Sequence, residues 1–175
     1  MDITKYDKNY NETTFISKVD HIFIMLLSAI MDNDLSSVKH YLSEEVYNNF
    51  NNLVETYKEK NYIRLFDEMN VKSTEITDYS YDGEKINIYV TLISRYMDYY
   101  VDDNGDYVKG INDHRIETKH KIIFTKYLNT KELTEKRCPN CGNTLNLNST
   151  GVCPYCKQII NMKDYDYIIT KLDVF

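Results

Sequence analysis

Four cysteines carry the strongest chemical signal in the chain, and all of them fall between residues 138 and 156. They read Cys138-Pro139-Asn140-Cys141-Gly142 and Cys153-Pro154-Tyr155-Cys156. Both prolines of the chain directly follow a cysteine. A Cys-x-x-Cys knuckle folds back so that two thiolates face one ion, and two knuckles supply the four sulfurs of a tetrahedral zinc site. Gly142 stands just after the first knuckle, where a tight turn favours positive φ. Cys138, Cys141, Cys153 and Cys156 are therefore expected to hold a structural Zn2+. Four sulfur ligands leave no open position for catalysis. Iron in the same four-sulfur set remains an alternative on spacing alone. Two disulfides would require an oxidising compartment, and the amino terminus, MDITKYDKNYNETTF, lacks the pattern of a secretory signal.

The charge around the knuckles bears on nucleic acid. Over residues 129–161, Lys131, Lys136, Arg137 and Lys157 are offset by Glu132 and Glu135 together with the net negative charge of a zinc tetrathiolate. The whole chain carries a formal net charge of -6 over 175 residues. A neutral ribbon in an acidic chain is a poor partner for phosphate, so nucleic-acid binding is not expected. The ribbon reads instead as a metal staple across a long connection.

Other chemistry is sparse. There is no Gly-rich phosphate loop, no nucleophile elbow and no His-Glu-x-x-His. His114 and His120 share a parity on one strand, with Asp98 and Asp113 as possible neighbours. They make a conceivable acid–base group, with His120 and Asp98 its candidates; the alternative is ordinary polar residues at strand ends. Tyr96, Tyr99, Tyr100 and Tyr107 crowd one hairpin, either lining an apolar pocket or serving as plain sheet residues.

Helices and strands must position these groups. Phe15, Val19, Ile22, Phe23, Leu26 and Ile30 recur at helical spacing. From position 22 this helix is apolar on nearly all sides, which predicts burial or a second face against a partner or lipid. The run Ile22–Met31 is shorter than the roughly 20 residues a bilayer span needs, so peripheral membrane contact is the most it suggests. Asp32-Asn33-Asp34 breaks the helix, Leu35 and Val38 mark a short one, and Ser43 caps another whose buried face is Val46, Phe50, Leu53, Val54 and Tyr57. Ile63–Met69 reads as a short helical tail. From Val71 the period changes to two, predicting strands over Val71–Tyr81, from Lys85 onward, Arg115–Leu128 and Tyr165–Phe175, with turns at Asp82-Gly83 and Asn104-Gly105. This is an α+β plan: amino-terminal helices on a curved antiparallel four-strand sheet, with the zinc ribbon inserted before the last strand. The expected domains are a flexible segment 1–12, a main domain of 13–128 and 162–175, and the ribbon 129–161.

The helical opening with Phe15, Leu26 and Ile30 is one part of a family likeness. The others are the strand pair Ile86-Asn87-Ile88-Tyr89-Val90 and Met97-Asp98-Tyr99-Tyr100, the turn Asn104-Gly105 before Val108-Lys109-Gly110, and the strand Lys121–Leu128. Together they resemble the Tim44-like domain, over about residues 13–175. Bacterial versions often carry a Cys-Pro-x-Cys-Gly…Cys-x-Tyr-Cys ribbon just before the last strand. The resemblance implies a cystatin-like cone of the nuclear-transport-factor-two type and a non-enzymatic role in protein transport or membrane association. The expected partner is a protein segment or an apolar ligand, held by the first helix or the concave sheet. The expected location is cytoplasmic, with peripheral membrane contact through Ile22–Met31. A small cone-fold enzyme is the alternative.

Overall fold

The structure is a computed structural model that describes residues 2–128, 143, 153–157 and 166–175. Two α-helices precede four strands: α1 (Glu12–Met31), α2 (Glu44–Glu59), β1 (Ile63–Tyr81), β2 (Lys85–Val101), β3 (Tyr107–Tyr127) and β4 (Ile168–Lys171). The strands form one antiparallel sheet in the order β1-β2-β3-β4. Helices on one face of an antiparallel meander are the α+β plan expected from the sequence.

Local chemistry sets the helix ends. Asn11 Oδ1 accepts from Thr14 N at 2.9 Å and starts α1; Ser43 Oγ accepts from Val46 N at 3.3 Å and starts α2, with Glu44 and Glu45 favourable in its first turn. Both helices stop the same way. Asn33 (φ 51°) and Asn61 (φ 53°) take the left-handed conformation, and the next amides, of Asp34 and Tyr62, reach back to Ala29 O (3.0 Å) and Tyr57 O (2.9 Å). This is a Schellman ending with asparagine where glycine is usual. The residues between the helices make a turn and one 3-10 helix, Lys39–Tyr41, that buries Leu35 and Val38.

The expectation of a helical tail over Ile63–Met69 is corrected: these residues open β1. Asn61 has already ended α2, and Arg64 and Phe66 then alternate inward, both buried. The charge on Arg64 hides that period of two from the sequence. β3 begins at Tyr107, well before Arg115, and β4 is shorter than 165–175, because Leu172–Phe175 leaves the sheet.

The first hairpin turns at Gly83 (φ 99°), where Asp82 Oδ1 accepts from the amides of Glu84 and Lys85, both at 3.0 Å. Asp102 serves the second turn in the same way, accepting from Asn104 and Asp106 at 2.9 and 3.0 Å. Three strands of 19, 17 and 21 residues would be long for a flat sheet. Bulges bend this one. β1 jumps from Asp67↔Met97 to Asn70↔Arg95, and β3 jumps from Tyr96↔Ile116 to Asp98↔Ile111. Both irregularities flank Met97, so the sheet bends as a unit there. Arg115 and Glu68, one from each bulge, form an ion pair at 3.5 Å. Gly110 (φ 110°) closes the bend, since a Cβ there would stand 2.4 Å from Asp98 O.

α1 lies in the hollow of this curve. Val19, Ile22, Leu26, Leu27 and Ile30 are fully buried, and no residue of 22–31 is exposed. Each such side chain contributes about 1.5–3 kcal/mol through burial. By length and composition α1 could cross a membrane; here one face of it is buried in the core, with Ile24, Met25 and Met31 partly buried against it. Residues 2–10 also have contacts with the main body. Ile3 joins the core, and Asp7 is buried, accepting from Lys126 Nζ (2.6 Å) and Tyr167 OH (3.1 Å). The outer edge of β4 is covered by Leu42–Ser43, through a parallel bridge Leu42↔Ile169 and Ser43 N to Ile169 O at 2.8 Å.

Candidate functional site on the concave face

Beyond the end of α1 the hollow holds a polar cluster ringed by aromatics. Arg64 of β1 and Asp98 of β2 lie on paired strands and form a two-pronged ion pair, Nε to Oδ1 at 2.8 Å and Nη2 to Oδ2 at 2.7 Å. The third nitrogen, Nη1, donates to Tyr57 OH of α2 at 3.0 Å and to the backbone oxygen of Phe175. Tyr57 OH meets Tyr100 OH at 3.2 Å. Burial pulls the guanidinium's pKa down, but Asp98's hydrogen bonds and charge outweigh it, and Arg64 stays firmly cationic. Burial, then the Tyr57 hydroxyl, pushes the Tyr100 phenol well above its usual range.

His120 of β3 lines the same hollow. Its Nε2 is 2.8 Å from Ser94 Oγ, and its ring lies 4.7 Å from Phe23 and 4.9 Å from Phe175, centroid to centroid. Only 5% of His120 is exposed, and burial pushes its pKa down to about 4. It is neutral at pH 7 and bonded to a hydroxyl. Phe175 sits among Phe50 (5.7 Å), Phe23 (5.9 Å), Phe66 (6.2 Å) and His120. A cleft of about 320 Å³ opens beside it, between Thr118–Lys121 of β3 and Leu172–Phe175.

The candidates read from sequence divide. His120 and Asp98 both border the hollow, but Asp98 is committed to Arg64 and His120 to Ser94. His114 is not brought to His120. The bulge between Ile111 and Ile116 breaks the parity, leaving His114 exposed at 2.7 Å from Asp113 Oδ1. Contact with that imidazole lowers the Asp113 pKa. The tyrosines divide too. Tyr96 is buried, with its pKa raised by burial, and Tyr100 joins the Arg64 cluster. Tyr99 donates to Asp67 at 2.5 Å, and Tyr107 is exposed. Arg64, Tyr57 and Phe175 were not foreseen as site residues. A lone arginine at strand spacing from Phe66 was the one available signal.

Of the four cysteines, Cys138 and Cys141 lie outside the described residues, as does most of 129–161. The second knuckle is described. Pro154–Cys156 form a turn, Lys157 N donates to Cys153 O at 3.0 Å, Lys157 has φ 61°, and Cys153 is buried. Lys157 holds the position after its knuckle that Gly142 holds after the first. A tight turn that brings Cys153 and Cys156 close fits one half of a thiolate metal site. Among the described residues no group of three or more His, Cys, Asp or Glu gathers around a metal position.

A helix-filled, bulge-bent antiparallel sheet with an aromatic hollow defines the structural class. Residues 1–136 match the model of the Tim44-like domain, and the chain belongs to that family. Among solved structures it is similar to the intermembrane space region of the chloroplast protein ARC6, at 8% identity and a TM-score of 0.38, covering 90% of this chain and 94% of that one. No match is found among curated proteins.

Proposed function

We propose that this chain is a non-enzymatic binding module in protein transport or a membrane-associated scaffold. It receives a protein segment or apolar ligand on its concave sheet face. The supporting observation is that the polar pairs of the hollow are held inside it: buried Arg64 with Asp98, and His120, 5% exposed and neutral at pH 7, with the fully buried Ser94 hydroxyl, out of a substrate's reach. A general acid or base needs a free group with a pKa near the working pH. What is left at the hollow is aromatic surface and the cleft beside Phe175, which suits recognition. Membership of the Tim44-like family supports the transport reading. α1 is a poor contact surface, because reaching a partner or membrane through Ile22–Met31 would require it to leave the sheet.

A photoreactive residue at Thr118, which shares the inward face of β3 with His120 and lines the cleft, tests this in cells. The expected product is a protein or small-molecule adduct in clear excess over the same probe at exposed Glu59. Equal labelling at the two positions would refute the concave-face reading.

Zinc held by Cys138, Cys141, Cys153 and Cys156 is part of the proposal, as a staple for 129–161 placed before β4. The second knuckle's turn supports it. Native mass spectrometry of protein purified without chelator should show one zinc per chain. A mass lower by two hydrogens per cysteine pair, with no metal, would mean disulfides instead.

A further inference from the structure

We infer that Asp173–Phe175 is a resident, displaceable ligand of the concave face, and that the site beneath it takes an aromatic-bearing peptide segment of a protein partner. This rests on the concave-face reading above and names its ligand.

Three observations carry it. First, the segment is weakly tied. β4 ends at Lys171, and among the described residues no backbone hydrogen bond joins Leu172–Phe175 to the sheet. Continuing along β3 from Ile123↔Lys171 would have paired these residues with Lys119–Ile122 and satisfied their amides. The chain turns into the hollow instead and leaves the cleft of about 320 Å³ on its outer side.

Second, what it enters is a built site. Four rings surround Phe175, those of Phe23, Phe50, Phe66 and His120. Arg64 is held flat by Asp98 at both ends of its fork, so Nη1 is aimed in advance at an acceptor. The guanidinium also lies 5.8 Å from the Phe175 ring centroid. One ring and one backbone oxygen, read together, are the features of a peptide segment. A saturated acyl chain, even where its carboxylate accepts from Nη1, carries no ring to set among Phe23, Phe50, Phe66 and His120. Third, Phe175 is only half-buried and Asp173 and Val174 are exposed, while the buried Leu172 stays with the core, so residues 173–175 can leave without opening it.

A segment held within its own chain competes at a high effective concentration, so an outside peptide binds the intact protein weakly and the vacated site more tightly. The experiment places 4-fluorophenylalanine at position 175 of the full chain. A synthetic peptide copying Lys171–Phe175 is titrated in while the fluorine resonance is followed. The expected result is a shift from a buried to a solvent-like resonance at saturation. In the Phe175→Ala chain, the same peptide, carrying a fluorophore, should bind at least about tenfold tighter than in the wild type. A fluorine resonance unmoved by saturating peptide overturns the proposal, and so does equal peptide affinity in the two chains. Displacement by decanoate but not by the peptide would assign the site to acyl chains and overturn the peptide assignment. Adducts at Thr118, scored on the otherwise wild-type chain, then report whether the concave-face reading falls as well.

Discussion

The two ends of the sheet are closed by opposite means. At the first-hairpin end, the segment before α1 is stapled down. Asp7 receives Lys126 and Tyr167, Tyr6 stacks on Tyr81 at 4.1 Å, and Phe15 packs on Phe124 and Tyr167 at 5.4 and 5.3 Å. Strands β1, β2 and β3, the amino-terminal segment and Tyr167 beside β4 all meet there. Burial, then the charge of Asp7, pushes the Tyr167 phenol far above its usual range. At the bent end, the hollow is closed by a segment with no ladder, one ring and one accepted hydrogen bond. The first arrangement is what stability requires. The second keeps an aromatic, cation-bearing surface covered without committing it. On the reading proposed above, the first end is built for permanence and the second for exchange.

Substitutions break this comparison in a graded order. The largest effect is expected from Asp98→Ala, which leaves a buried guanidinium unpaired at a cost of about 3–5 kcal/mol. Thermal unfolding should show a fall of roughly 10 °C. The double change Arg64→Met with Asp98→Leu should recover most of that loss, because neither charge is then stranded. If the double variant is as unstable as the single one, the ion pair is not the cause.

Asp7→Ala comes next. It removes the acceptor shared by Lys126 and Tyr167 at the stapled end, where Lys126 retains some contact with water. About 2–3 kcal/mol is expected, read as a lowered urea midpoint with the slope unchanged. A loss below that of Phe175→Ala would reverse the ranking of the two ends.

Phe175→Ala should cost only about 1–2 kcal/mol, since the ring is half-buried and its removal opens an existing cleft rather than a sealed cavity. The last effect is one of pH, spread over several units. His120 ionises near 4 in the folded chain and near 6.5 when unfolded, so the unfolded state binds the extra proton between those values. Stability is therefore complete above about 6.5 and falls as pH drops toward 4, by at most about 1.4 kcal/mol per unit. His120→Leu should remove that part of the slope. An unchanged slope would place the titrating group elsewhere.

Much of this plan was legible beforehand, and for physical reasons. Hydrophobic spacing marked α1, the caps at Asn33 and Ser43 bounded the helices, and Asp82-Gly83 and Asn104-Gly105 located both hairpins. Each is a local signal with a local cause. The bend was not legible. Glu68 and the residues 112–115 bulge because strands must register across the sheet, and no window of sequence contains both partners. That bulge is also why His114 and His120 part company despite sharing parity. Arg64 hid the start of β1, since a charge at an inward position reads as a surface residue until Asp98, on the neighbouring strand, is seen to pair with it. Phe175 lies 111 residues from Arg64, and only the fold joins them.

Whether Phe175 seals the concave site is read most directly at the His120 ring. Its carbon-bound ring proton, followed by NMR against pH, should titrate near 4 in the wild type and move toward 6.5 in the Phe175→Ala chain. A wild-type His120 that already titrates near 6.5 would show an open, wet hollow and contradict the closure.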